Sequence, residues 1–511
     1  MFKGHPRGLL AAALANMGER FGFYTMMAIL VLFLQAKFGL SGTNAGIIYS
    51  IFYFSIYILA FVGGTIADRT RNYKGTILVG LVVMAIGYLM IAFPSPTPVP
   101  NKILFLVISC IGLFTIAFGN GLFKGNLQAL VGQMYDHPQY SKMRDSGFSL
   151  FYMFINVGAL FAPLVAVGVR NGWLAGKGFD YNPSLPELCH AYLGKTITPE
   201  AQEKLTILAS QVSRGTEVTD MNAFVNSYLN VFTTGFHYAF GISIFAMLIS
   251  LVIYIINKKI FPNPTPKVKA SSETGGSVGM GVKEIRQRLY ALFAVFGVVI
   301  FFWFSFHQNG LTLTYFAKDY TDLSGMKIDL GLVMIQGAEI FQSINPLFIV
   351  LLTPIIMAIF GWLRARGMEP STPKKIALGM FIAAVAYLVM SLGSVGLPLK
   401  SEVDAMGGLS DVQRVMPMLL IGTYFILTVA ELFISPLGIS FVSKVAPPQY
   451  QGIMQGGWLG ATAIGNQLLF IGAIFYESVP IWLTWTVFVA ACLLSMFTML
   501  FMLKWLERIA R

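Results

Sequence analysis

Four ionisable residues stand inside stretches of sequence that are otherwise apolar: Glu19 and Arg20, Lys124, and Glu431. A charge in the middle of a membrane span costs roughly 2.5–3.5 kcal/mol on insertion scales, so such groups are kept for function or pair with one another. Two are cations and two are anions, and their charges sum to zero if they face one cavity. A zwitterion with an ammonium at one end and a carboxylate at the other suits such a cavity. Helical spacing supports polar faces: Asn16, Glu19, Arg20, Phe23 and Met27 fall near one stripe, and Asn120, Lys124 and Gln128 recur every four residues. Trp303 shares a helix face with His307, and Glu431 with Ser435. The same charges would serve equally as ion-pair staples between helices, His307 as a hydrogen-bonded packing residue and Trp303 as core. Asp68 and Arg69 fall at a helix end, where a conformational latch is expected rather than ligand contact.

These residues need a membrane scaffold. The chain has 511 residues, 56% hydrophobic and 11% charged, with a mean hydropathy of +0.70. A soluble domain carries about 25% charged residues, so too little polar surface is left here for a water-soluble globule. Apolar runs near 8–36, 43–66, 74–94, 102–133, 143–168 and 232–257 predict six spans. Six more are predicted near 287–317, 332–362, 375–395, 412–443, 452–475 and 480–504. Arg20 within the first run, and its continuation to Leu34, argue for a membrane helix rather than a cleaved signal.

The net charge of +12 resides in short segments between runs, which argues for membrane topology and against nucleic acid. Arg69, Arg71, Lys74, Lys142, Arg144, Lys258, Lys259, Arg364, Arg366, Lys374, Lys375, Lys504 and Arg508 all fall on one side. That side is therefore expected to be cytoplasmic, with both termini on it. Residues 259–284, rich in Pro, Gly, Ser and Lys, read as a cytoplasmic linker between bundles at 1–258 and 285–511. A large outer loop spans about 169–231, with a helical stretch around Glu200 to Ser213 and no assignable function. Two six-helix bundles make an all-α membrane protein on the major facilitator plan. Cys110, Cys189 and Cys492 form neither a disulfide framework nor a metal site, and no metal constellation, nucleophile triad or nucleotide loop points to an enzyme.

The motifs are similar to those of the proton-dependent oligopeptide transporter (POT) family. Its first-helix signature is ExxERFxYY, and this chain reads NMGERFGFY from Asn16. GLFKGNLQALVGQMY and RDSGFSLFYMFINVGA resemble its second signature region, ELFISPLGISFVSKVAP its tenth helix, and GGTIADR at Gly63–Arg69 the superfamily's loop motif. The resemblance implies a symporter that imports di- and tripeptides by alternating access. It needs no cofactor, being driven by the proton gradient, and sits in the inner or plasma membrane, with a monomer expected. By position, Arg20 and Lys124 would hold the peptide carboxylate and Glu431 its amino terminus. Tyr24, Tyr57, Asn156, Trp303, Asn345 and Trp458 would line the cavity. Glu19 and Arg20 would belong to proton coupling, and Lys124 and Glu431 would pair across the halves when the cytoplasmic side closes.

The departures carry information as well. The signature's first glutamate is Asn16, its first tyrosine is Phe23, a usual arginine is Met27, and the usual seventh-helix acid is His307. In relatives that arginine and acid can pair at the outer gate, so here the gate must close by other contacts. His307 is itself a candidate proton carrier, since its side chain titrates nearest neutrality. A carrier of another small organic solute or of nitrate remains an alternative, as does a sensor with a transporter fold.

Overall fold

The computed structural model describes residues 4–140, 143–262, 282–331, 334–447 and 450–510. Most of the expected 259–284 linker therefore lies outside the described residues. Among the described residues, twelve helical stretches are long and apolar enough to cross a membrane.

In chain order the N-terminal half contains α1 (Gly8–Phe38), α2 (Gly42–Thr70), α3 (Tyr73–Ala92), α4 (Lys102–Met134) and α5 (Arg144–Gly176). Two short helices, α6 (Leu185–Leu193) and α7 (Pro199–Val212), follow before α8 (Met221–Asn257). The second half opens with α9 (Val282–Phe306) and α10 (Thr312–Asp319), joined through a single 3-10 turn at His307–Gly310 into one span. A two-residue β-hairpin (β1 Ile328–Asp329, β2 Met334–Ile335) precedes α11 (Ile344–Ala365) and α12 (Thr372–Gly393). Then come α13 (Lys400–Ala405), α14 (Pro417–Val445), α15 (Gln451–Gln467), α16 (Leu469–Ser478) and α17 (Ile481–Ala510).

Local chemistry sets these boundaries. Side chains of Ser41, Asn72, Asn101, Thr198 and Asp220 accept backbone N–H bonds in the first turns of α2, α3, α4, α7 and α8. Gly39, with φ of 56°, ends α1 in the left-handed conformation that glycine adopts without steric cost. Helices approach closely where side chains vanish. A Cβ on Gly63 would lie 2.1 Å from the Gly121 carbonyl oxygen, and one on Gly119 would lie 2.7 Å from that of Gly80. These contacts press α4 against α2 and α3, as small residues do in lipid, and fix the helix that carries Lys124.

The sixth span starts at Met221, earlier than the expected 232, and the eighth at Ala338 rather than 332. The outer loop holds two helices where the sequence suggested one. The face carrying α6, α7, α13 and the hairpin is called the cap face below, and the opposite face, with Gly8 and Leu506, the terminal face.

Candidate functional site

A cavity of about 340 Å³ lies at the centre of the molecule, between the two halves. All ten residues expected to line a binding site reach it: Arg20, Tyr24, Tyr57, Lys124 and Asn156 from the first half, and Trp303, His307, Asn345, Glu431 and Trp458 from the second.

The first-half wall is cationic. Arg20 forks onto its neighbour: Nε donates to Glu19 Oε2 at 2.5 Å and Nη2 to Oε1 at 2.7 Å. Glu19 is fully buried and also accepts from Asn120 Nδ2 at 2.7 Å, so it faces α4 and is not a lining residue. The expected stripe from Asn16 to Met27 is thus divided. Arg20, Phe23, Tyr24 and Met27 look into the cavity, while Glu19 turns behind them. Adjacent helical residues project about 100° apart, which separates Glu19 from the lining even though its charge stays on Arg20. Asn120 likewise leaves the Lys124–Gln128 line to hold Glu19.

Lys124 is the cation left over. Its Nζ lies 4.9 Å from the centroid of Tyr57, and no carboxylate is within ion-pair distance among the described residues. Opposite it, Glu431 accepts a hydrogen bond from Asn345 Nδ2 at 2.9 Å, and Asn345 also reaches Thr428 Oγ1 at 3.0 Å. The expected Lys124–Glu431 pair is therefore open in this conformation. Trp458 sits where Gly438 leaves room for it: a Cβ there would come within 1.9 Å of the indole. Trp303 borders the cavity, and its buried indole N–H has no hydrogen-bond partner among the described residues.

Of the aromatic wall the sequence singled out Tyr57, Trp303 and His307 and missed Tyr49 and Tyr53. Tyr49, Tyr53 and Tyr57 recur every four residues on α2, with ring centroids 5.7 and 5.8 Å apart. Tyr53 lies 4.8 Å from the ring of His307, whose other face stacks on Trp303 at 4.9 Å. Asn466 Oδ1 bonds His307 Nδ1, fixing the ring between the two halves.

Above this layer the cap face is closed. Arg170, at the end of α5, pairs with Glu339, just before α11, and both are fully buried. Asn171 Nδ2 donates to the carbonyls of Met334 and Gln336 at 2.9 Å. Glu477 accepts from the N–H of Gly42 at 2.5 Å, and Tyr315 donates to the Gly42 carbonyl at 2.8 Å. Toward the terminal face, lining residues Gln128 and Tyr152 are exposed, so the cavity opens that way. Asp68 and Arg69 are exposed at the end of α2. The Asp68 carboxylate accepts from Tyr73, and Arg69 forms no ion pair among the described residues.

Arg170 and Glu339 obey the rule that picked out Glu19 and Glu431. Glu339 falls inside the apolar run expected to be the eighth span, and Arg170 lies just past the end of the fifth.

The sequence profile of the POT family matches residues 74–281 and 280–481. The peptide transporter YePEPT of Yersinia enterocolitica is 30% identical over 477 residues, covering 91% of this chain and 87% of that one. A di-/tripeptide transporter of Lactococcus lactis is 28% identical over 503 residues, covering 91% and 89%. The fold superposes on a crystal structure of the peptide transporter POT in complex with sulfate, with a TM-score of 0.71, 23% identity and coverage of 100% and 96%. A POT family transporter in complex with 5-aminolevulinic acid gives a TM-score of 0.70 at 22% identity, covering 100% and 98%.

Proposed function

The chain belongs to the POT family, and from that premise we propose that it is a proton-coupled symporter importing di- and tripeptides by alternating access. The observation that carries this reading is the charge layout of the central cavity, with Arg20 and Lys124 on one wall and Glu431 on the other. The peptide carboxylate binds between Arg20 and Lys124, and the ammonium binds Glu431, held ready by Asn345. Recognition of termini and backbone is indifferent to side chains, so selectivity is broad among short peptides. Tyr24, Tyr57, Asn156, Trp303 and Trp458 shape the space between the charged ends.

We place the terminal face in the cytoplasm, which makes this conformation inward-facing. Lys124 and Glu431 pair when that face closes, with Asp68 and Arg69 available as a latch there. In the outward-open state a proton neutralises a carboxylate, and the bound peptide occupies Arg20 and Lys124. The cavity then approaches neutrality, which lowers the cost of occlusion, and the halves rock about the site. Proton loss to the cytoplasm restores the Lys124–Glu431 attraction and helps expel the peptide. Glu19, held by Arg20 and Asn120, is linked to the peptide through Arg20, which a peptide carboxylate would draw away from it.

The test is uptake of radiolabelled dialanine into proteoliposomes with and without an imposed inward proton gradient. Concentrative uptake that collapses with a protonophore is expected. Folded protein that takes up none in either condition refutes the reading.

A further inference from the structure

The segment between α5 and α8 is tied firmly to the first half. His190 Nε2 donates to the Ala36 carbonyl of α1 at 2.7 Å. The Asn182 N–H donates to the hydroxyl of Tyr228 on α8 at 3.3 Å, and Phe179 packs edge-on against the same ring at 5.4 Å.

Its other side reaches over to the second half. Glu187 is gripped by two lysines from different elements: Lys318 Nζ at 3.1 Å from Oε2 and Lys400 Nζ at 3.1 Å from Oε1. Asp319 and Asp404 complete a cluster of three carboxylates around two ammonium groups. Thr198 donates to the Ala405 carbonyl and Lys204 to that of Gly408. Gly407 and Gly408, with φ of 72° and 101°, form a turn that lies flat against the cap. A Cβ on Gly407 would be 3.1 Å from Ala201 Cα.

Beneath these contacts is a second cavity of about 340 Å³, bordered by Gln35, Arg170, Tyr181, Glu187, His190 and Lys318. The cap thus roofs a chamber that ends at Arg170, and parting it from Lys318 and Lys400 leaves its packing on the first half in place. Its ionic contacts are open to water on one side: the Glu187 and Asp404 side chains are 44% and 43% exposed, while those of Lys318 and Lys400 are 7% exposed. Water can reach the carboxylates as the pairs part, which suits a contact that must break in every cycle.

We propose that this cap is the outer gate of the transport cycle, clasped across the two halves by Glu187 on one side and Lys318 and Lys400 on the other. It takes over the closing role that the Met27 and His307 positions cannot fill with charge. Glu187, Lys318 and Lys400 are positioning residues. They set the balance between outward-open and outward-closed states and do not touch the peptide in the central cavity.

A reversible crosslink tests the assignment. A Cβ on Gly407 would be 3.4 Å from that of Ala201, close to the spacing of a disulfide. The variant Ala201→Cys/Gly407→Cys is made in a Cys189→Ala background, with Thr198→Cys/Ala405→Cys as a second pair that avoids a side chain at positive φ. On oxidation, dialanine uptake by proteoliposomes falls in proportion to the crosslinked fraction and returns with dithiothreitol. Oxidised protein in detergent still binds dialanine, since the central cavity stays open to the terminal face. Full uptake by crosslinked protein overturns the proposal, as does failure of both pairs to crosslink. The inference borrows the peptide-transport reading for its assay, and the two fail differently: absence of uptake by the reduced protein counts against transport, not against the gate.

Discussion

Replacing Glu339 with glutamine isolates the buried part of the outer closure. The carboxylate and Arg170 are both fully buried and come from opposite halves, so the pair exists only while the cap face is shut. When that face opens, each group returns to water. Glu339→Gln therefore leaves the open state almost unaffected and strands a guanidinium in the closed one. Breaking a buried pair by removing one partner costs about 3–5 kcal/mol.

Arg170 keeps some company in the variant. Its guanidinium lies 4.2 Å from the Tyr181 ring centroid and 5.1 Å from that of Phe236, and its Nε donates to Asn171 at 3.0 Å. Glutamine also leaves a carbonyl acceptor in place, so the low end of the range applies. About 3 kcal/mol, at 1.36 kcal/mol per tenfold, shifts the balance toward outward-open roughly 150-fold. The assay is pulsed electron–electron spin resonance between labels at Asn44→Cys and Val412→Cys, exposed on opposite halves of the cap face. The native cysteines are replaced first. The wild type should show mainly the short separation, and Glu339→Gln a dominant longer one in folded protein. Identical distance distributions in the two proteins would refute the reasoning, because a closure that ignores the one fully buried ion pair across the halves among the described residues does not depend on it.

Three further outcomes follow from the geometry. Glu431→Gln should abolish proton-driven accumulation of dialanine, and accumulation at the wild-type rate would remove Glu431 from the coupling. Blocking either terminus of dialanine leaves a charged partner unsatisfied, worth about 1.5–3 kcal/mol for a hydrogen bond to a charged group, so competition should weaken roughly 10- to 150-fold; equal inhibition by capped and free peptides would favour a different solute. At the cap, burial and then the neighbouring Glu187 charge outweigh Lys400 and push the Asp404 carboxyl up to about 7, while Lys318 and Lys400 overcome burial to hold Glu187 below the usual range. Asp319, Tyr320 and Tyr476 also face this cluster. A carboxyl whose pKa is higher in the closed than in the open cap gains a proton on closing, so acidification from about pH 7 toward 4 should favour closure. Above that window the contribution is lost. The spin-label distance followed against pH reads this directly, and Asp404→Asn should flatten the profile.

The central site was legible because its chemistry contradicts its surroundings. Arg20, Lys124 and Glu431 are costly in lipid, and the aromatic and amide positions sit within the same motifs, so they converge on one cavity. What the sequence cannot supply is the direction of neighbours and the meeting of distant ends. Glu19 and Arg20 look equivalent in the motif, yet only Arg20 lines the cavity. Arg170 and Glu339 are 169 positions apart, one just past the end of an apolar run and the other inside a different one, so nothing in the order of residues joins them. The start of α8 was hidden for a related reason. Asn222, Asn226 and Asn230 punctuate its first turns like loop residues, but their four-residue spacing puts them on one exposed face of a helix capped by Asp220. The nine-residue α6 is too short to show a periodic pattern.

The outer closure is built in layers whose strengths run opposite to their exposure. Deepest is an aromatic layer, His307 against Tyr53 and Trp303, where relatives can place an arginine and an acid. Next comes the Arg170–Glu339 pair, fully buried, strong when formed and costly to leave half-made. Outermost is the half-exposed clasp of Glu187 with Lys318 and Lys400, made of contacts that water can replace. Opening from the outside inward would wet the chamber under the cap before the buried pair must part, so Arg170 and Glu339 separate into water rather than into a dry interior. That order lowers the electrostatic cost of the hardest step. It also gives the chamber beneath the cap a use: once the clasp parts, it has room for the water that the pair needs. On this argument the loss of charge at Met27 and His307 and the presence of a clasped outer cap are two aspects of one design.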